Sequence, residues 1–191
     1  MNDDLVDGTT QQTPQRYVGA AIAIHWISAL LIISQVLIGL KFADMPKGPE
    51  RADLFTWHKT IGVTILLLAV ARIAVRLMNP PPPLPTMIPH WQRLAAAWSH
   101  RLLYFFMFAL PLTGLMIISD HAKNGMTTLL GGIPFPVIPV AIPDEVHGLL
   151  AWGLIGLLAL HIAAALKHQF MDGPIVSRRM SPFGPGPTRI D

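Results

Sequence analysis

VHGLLAWGLIGLLALHIAAALK, residues Val146–Lys167, is the stretch whose reading decides the fold. It is as long as the roughly 20 apolar residues a helix needs to cross a bilayer. Before Lys167 its ionisable side chains are two histidines, His147 and His161. An imidazole at membrane depth is rare and marks a functional position. The two are 14 residues apart. On a helix they therefore stand within about 40° of one face and about 21 Å apart along the axis. One span thus offers two imidazoles at two depths.

Three further stretches have spanning length: Val18–Leu40, Leu54–Leu77 and Ala95–Ile118. The 191-residue chain is 52% hydrophobic and 13% charged, where about a quarter charged is usual for a soluble domain. The expected fold is all-α, a transmembrane four-helix bundle over residues 16–172. Residues 1–15, with Asp3, Asp4 and Asp7 among Thr and Gln, read as a disordered leader. They lack the basic n-region and small-residue cleavage site of a signal peptide, so the first span is expected to remain as a signal anchor. Residues 173–191 read as a cytoplasmic tail.

Basic residues set the orientation. Arg16, Arg72, Arg76, Arg93, Arg101, Lys167, Arg178, Arg179 and Arg189 fall at one face, and Lys41, Lys47, Arg51, Lys59 and Lys123 at the other. The excess places both termini in the cytoplasm by the positive-inside rule. The net charge of +3 belongs to this placement, and no feature points to nucleic acid. Prolines punctuate the connections: Pro80–Pro83, Pro85 and Pro89 stop the second span, and Pro134, Pro136, Pro139 and Pro143 precede the fourth. The apolar run from Ile133 to Ile138 is expected to lie in the membrane interface or fold over the bundle end. Pro111 falls inside the third span, where it predicts a kink.

The absence of cysteine excludes disulfides, iron–sulfur clusters and covalently attached haem. Any haem must be non-covalent and b-type, with histidine the obvious axial ligand and Met the fallback. His58 enters from the same face as His147, and His25 from the same face as His161, so depth alone pairs His58 with His147 and His25 with His161. Two bis-histidine b haems stacked across the bilayer would use these four as iron ligands. Gly62, Gly148 and Ala163–Ala165 supply small residues nearby. Structural histidines are the plain alternative; a closed zinc site is disfavoured because it wants about four ligands. No carboxylate relay of the transporter kind lies mid-span.

His100 and His168 are expected at the cytoplasmic face, opening the third helix and closing the fourth, with Arg72, Arg76, Arg101 and Lys167 at similar depth. The arginines, Arg72 and Arg76 above all, are candidates for pairing with haem propionates. His168 and His100 are candidates for a quinone site, giving a proton or hydrogen bond; a solvated helix end is the alternative. At the opposite face Lys59 and Arg51, with Lys41, Lys47 and Lys123, could steer a small anion or contact headgroups. His90 and His121 are expected at the surface.

Ala23-Ile-His25-Trp26, Trp57-His58-Lys59, and His147-Gly-Leu-Leu-Ala-Trp152 leading to Leu160-His161-Ile-Ala-Ala-Ala-Leu-Lys-His168 resemble prokaryotic cytochrome b561, over roughly residues 15–172. The resemblance implies a four-helix dihaem cytochrome b of the bacterial inner membrane that exchanges electrons with ubiquinone. It carries the ligand roles to His25, His58, His147 and His161 and a quinone role to His168 and His100. One member of the family oxidises superoxide and reduces quinone. Transfer from superoxide or another small periplasmic donor to ubiquinone is thus the expected function. A membrane-anchor subunit fed by a soluble dehydrogenase, hydrogenase or cytochrome is one alternative, and a channel or structural protein without redox chemistry is another.

Overall fold

The computed structural model describes residues 16–83, 88–122, 124–140, 142–171 and 177–183. The expected leader 1–15, Lys123 and Arg189 lie outside them. Four helices dominate: α1 Gly19–Ala43, α2 Pro49–Met78, α3 His90–Ile117 and α4 Asp144–Phe170. All four are long and apolar enough to cross a membrane. The chain is a multi-pass membrane protein with an antiparallel four-helix bundle. Large apolar side chains such as Leu37, Leu67, Leu149 and Leu160 are exposed, as a lipid-facing surface requires.

Two helices start earlier than the hydropathy predicts. Pro49 occupies the first turn of α2 with Glu50 beside it, where proline's missing N–H costs nothing and an acid meets the positive end of the helix dipole. In α3 the helix begins at His90, directly after Pro89. His58 is therefore the tenth residue of α2, and His100 the eleventh of α3 rather than its opening residue. Hydroxyls inside the spans bond within their own helices: Ser28, Thr60, Thr64 and Thr113 each donate to the carbonyl four residues back, which spares these four from facing lipid unpaired.

α1 packs against α2, α2 against α3, and α3 against α4. Ile32, Ile65, Ala69, Met107 and Leu154 form the mid-bundle core. The expectation of an all-α chain fails at one place. Between α3 and α4, β1 (Met126–Thr128) pairs antiparallel with β2 (Pro134–Pro136), turning through Gly131 and Gly132, both at positive φ. Leu129, Phe135 and Ile138 pack on Val63 and Leu115. The Ile133–Ile138 run thereby folds over the bundle end, which we call the loop end; the opposite one is the terminal end.

Residues 177–183, within the expected cytoplasmic tail, pack on the terminal end. The Tyr17 N–H donates to the Arg179 carbonyl, Trp26 Nε1 donates to the Met180 carbonyl at 2.8 Å, and Arg179 donates to the Pro82 carbonyl. Arg179 is only 4% exposed and stands over the Tyr17 ring.

Candidate functional site

Matching positions recur on every helix at intervals of 14 residues: His25 and Gly39 on α1, His58 and Arg72 on α2, His100 and Gly114 on α3, His147 and His161 on α4. Fourteen residues are nearly four helical turns, so each helix contributes one residue to a level near either end. Halfway between them stand Ile32, Ile65, Met107 and Leu154, an apolar layer separating the two levels.

At the loop end the His58 and His147 rings lie 6.2 Å apart between centroids, inclined at 69°. The glycines at this level leave room for them: a Cβ at Gly39 would stand 3.2 Å from Cε1 of His58, and one at Gly114 3.6 Å from Cε1 of His147. Gln35 donates to the His58 carbonyl at 2.9 Å. Nδ1 of His58 and Oε1 of Gln35 are buried without a hydrogen-bond partner among the described residues. On His147, Nδ1 lies 3.0 Å from the Thr113 hydroxyl.

At the terminal end His25 and His161 stand 6.5 Å apart. His100 joins them at 5.5 Å from His161, a third imidazole on the exposed edge of the cluster. Arg72 reaches Nδ1 of His25 at 3.4 Å and lies over the Tyr104 ring. Arg76, His100, Arg101 and Tyr104 line an adjoining recess of about 240 Å³. His168 is partly buried on the last turns of α4, seven residues beyond His161 and on the same face.

The basic residues of the loop end are more engaged than a free funnel would be. Lys59 donates to Thr127 on β1 at 3.1 Å and covers Phe55. Arg51 donates to the Phe42 carbonyl at 3.1 Å and lies over that ring, and Phe42 in turn packs edge-on against His58 at 5.0 Å. Lys41 pairs with Glu50 at 3.8 Å, while Lys47 is exposed. His90 is exposed at the start of α3.

Metal–imidazole bonds of about 2 Å on each side put two coordinating nitrogens about 4 Å apart, which agrees with ring centroids somewhat over 6 Å apart, as found at both levels. Among the described residues no group of three or more His, Cys, Asp or Glu could enclose a metal. A haem would add four nitrogens of its own to the two imidazoles of each pair.

Four helices long enough to cross a membrane, with imidazoles facing one another near either end, are an arrangement that suits a membrane cytochrome of the b type. The chain belongs to the prokaryotic cytochrome b561 family, whose family model matches residues 16–183; the family carries b-type haem and transfers electrons across membranes. The chain is 31% identical over 185 residues to "Cytochrome b561 homolog 2" of Escherichia coli K12, covering 88% of this chain and 92% of the relative. "Cytochrome b561 homolog 1" of the same organism is 29% identical over 177 residues, 87% and 97% of the two chains. "Probable superoxide oxidase CybB" of Yersinia pestis is 30% identical over 177 residues, 88% and 97%.

The sequence reading missed Thr113, Gln35, Gly39, Gly114 and Tyr104. The 14-residue recurrence would have found Gly39 and Gly114. Thr113, Gln35 and Tyr104 leave no such mark, because their roles depend on how α1 to α4 face one another.

Proposed function

We propose that the chain passes electrons across the bacterial inner membrane through two b haems, from superoxide or another small periplasmic donor to ubiquinone, with both termini in the cytoplasm. The observation that carries this reading is the occurrence of two facing imidazole pairs, His58/His147 and His25/His161, at opposite ends of one bundle. Haem, when bound, supplies a one-electron carrier at each level. The residues around it do the rest. The four histidines would hold the iron, Gly39 and Gly114 leave space for their rings, and the layer of Ile32, Ile65, Met107 and Leu154 keeps water from between the levels. Arg72 and Arg76 are the partners for carboxylates at the terminal end, where a guanidinium matches a carboxylate in a bidentate fashion.

The name of the Yersinia relative, a probable superoxide oxidase, supports superoxide as donor. Each superoxide gives up one electron and leaves as dioxygen; two such electrons and two protons convert ubiquinone to ubiquinol. His168 and His100 are the groups placed to deliver protons or hydrogen bonds to the quinone near the terminal-end level. Rapid mixing of the purified chain with superoxide, then with a ubiquinone, tests this: the haem absorbance should reduce and then reoxidise. Superoxide that leaves the haems oxidised would refute the donor.

A second reading is favoured by the docked β1–β2 hairpin and its bond from Lys59, which give the loop end an ordered surface. In that reading the chain is a membrane-anchor subunit, and a soluble dehydrogenase, hydrogenase or cytochrome reduces it there. Rapid reduction by such a partner, retained through mild detergent, would replace the first reading.

A further inference from the structure

The two imidazole pairs have opposite electrostatic surroundings. The Thr113 hydroxyl lies 2.8 Å from the Ala109 carbonyl and 2.9 Å from the Leu110 carbonyl, and its single proton is spent on these acceptors. Towards Nδ1 of His147, 3.0 Å away, it then offers only lone pairs. The ring accordingly carries its proton on Nδ1 and donates it to Thr113, which leaves the Nε2 lone pair for iron. A ligand whose far nitrogen donates to an acceptor is more basic and favours the oxidised metal. At the other level, with Nε2 of His25 on iron, the ring proton stands on Nδ1, and the group 3.4 Å from it is the Arg72 guanidinium, which has no lone pair to accept that proton and sets a positive charge beside the ring. Positive charge beside an iron ligand favours the reduced metal.

We propose that Thr113 and Arg72 set the direction of electron flow, Thr113 lowering the potential of the loop-end centre and Arg72 raising that of the terminal-end centre. The inference rests on the bis-histidine haem reading above and deepens it. It makes transfer from loop end to terminal end the downhill direction, and the Asp144 carboxylate, which acts on His147, works in the same sense as Thr113. Thr113 is a positioning residue acting through His147; Arg72 acts through charge.

The test is a potentiometric titration of the purified full-length holoprotein, followed in haem absorbance, with His147→Ala used to identify the loop-end component. Wild type should titrate in two steps, with the loop-end component the lower. Thr113→Val, which keeps shape and removes the hydroxyl, should raise that component by about tenfold in its oxidation equilibrium, about 59 mV for a one-electron couple, and leave the other in place. Thr113→Ser should restore it. Arg72→Gln should lower the terminal-end component alone. A loop-end component that lies above the other in wild type overturns the proposal, as does a Thr113→Val variant that titrates as wild type. If Thr113→Val fails to insert, Thr113→Ala and the Arg72→Gln arm decide by the same criteria. Wild-type protein without haem would instead overturn the underlying reading.

Discussion

Gly39→Ala should empty or loosen one haem site and spare the other. An added Cβ would stand 3.2 Å from Cε1 and 3.6 Å from Nδ1 of His58. Carbon atoms rest at about 3.5–4.0 Å, so the ring would have to retreat by roughly 0.3–0.8 Å. Metal–ligand distances tolerate only about ±0.2 Å. The displacement is therefore too large for an intact bond, and we expect haem affinity at the loop end to fall on the order of 10–100-fold, as with other disturbances of ligand orientation. Gly114→Ala is the internal control: its Cβ would meet Cε1 of His147 at 3.6 Å, an ordinary contact, so both haems should stay. Alanine is the better helix former by about 1 kcal/mol, so a loss of haem in Gly39→Ala cannot be put down to a weakened helix. The assay is haem per polypeptide with the absorbance and electron paramagnetic resonance spectra of the three proteins. A full haem complement with unmoved spectra in Gly39→Ala, or a larger loss in Gly114→Ala, would refute the reasoning.

His168→Ala should leave both haems spectrally intact yet slow their reoxidation by ubiquinone; a normal rate in rapid mixing removes His168 from the quinone site. Neutralising Lys59 and Arg51 together should slow reduction by superoxide and flatten its salt dependence, since steering is screened within about 8 Å at physiological ionic strength. Lys59→Met alone should speed amide exchange across residues 126–136, because it releases Thr127; unchanged exchange would show that apolar packing holds the hairpin unaided. Arg179→Ala should raise exchange in residues 177–183 by tenfold to hundredfold, the effect of losing about 1.5–3 kcal/mol of hydrogen bonding from a charged donor.

The spans were legible because lipid demands long apolar runs and nothing else in the chain resembles one. Their ends were less so. The first turn of α2, Pro49 to Asp53, is polar and reads as loop, although Pro49 and Glu50 are the residues a helix start favours. The depth of His25, His58, His147 and His161 followed from counting along the spans, and the structure brings those four together in the pairs that depth suggested. His100 does not open α3, because the helix begins at His90 rather than at Ala95, but it is exposed. The hairpin was hidden by its own prolines, Pro134 and Pro136, which are tolerated only where a strand lies at an edge. The engagement of Lys59 with Thr127 and of Arg51 with Phe42 depends on how the loop end folds back, which no local pattern encodes.

The central claim is that two imidazole pairs each hold a b haem, and haem stoichiometry tests it most directly. Pyridine haemochrome on the purified chain should give close to two haems per polypeptide, all extractable into acidified acetone. His58→Ala and His147→Ala should each remove one and the same spectral component, and His25→Ala and His161→Ala the other. A ratio near zero in haem-replete cells, or a grouping of His25 with His147, would contradict the account.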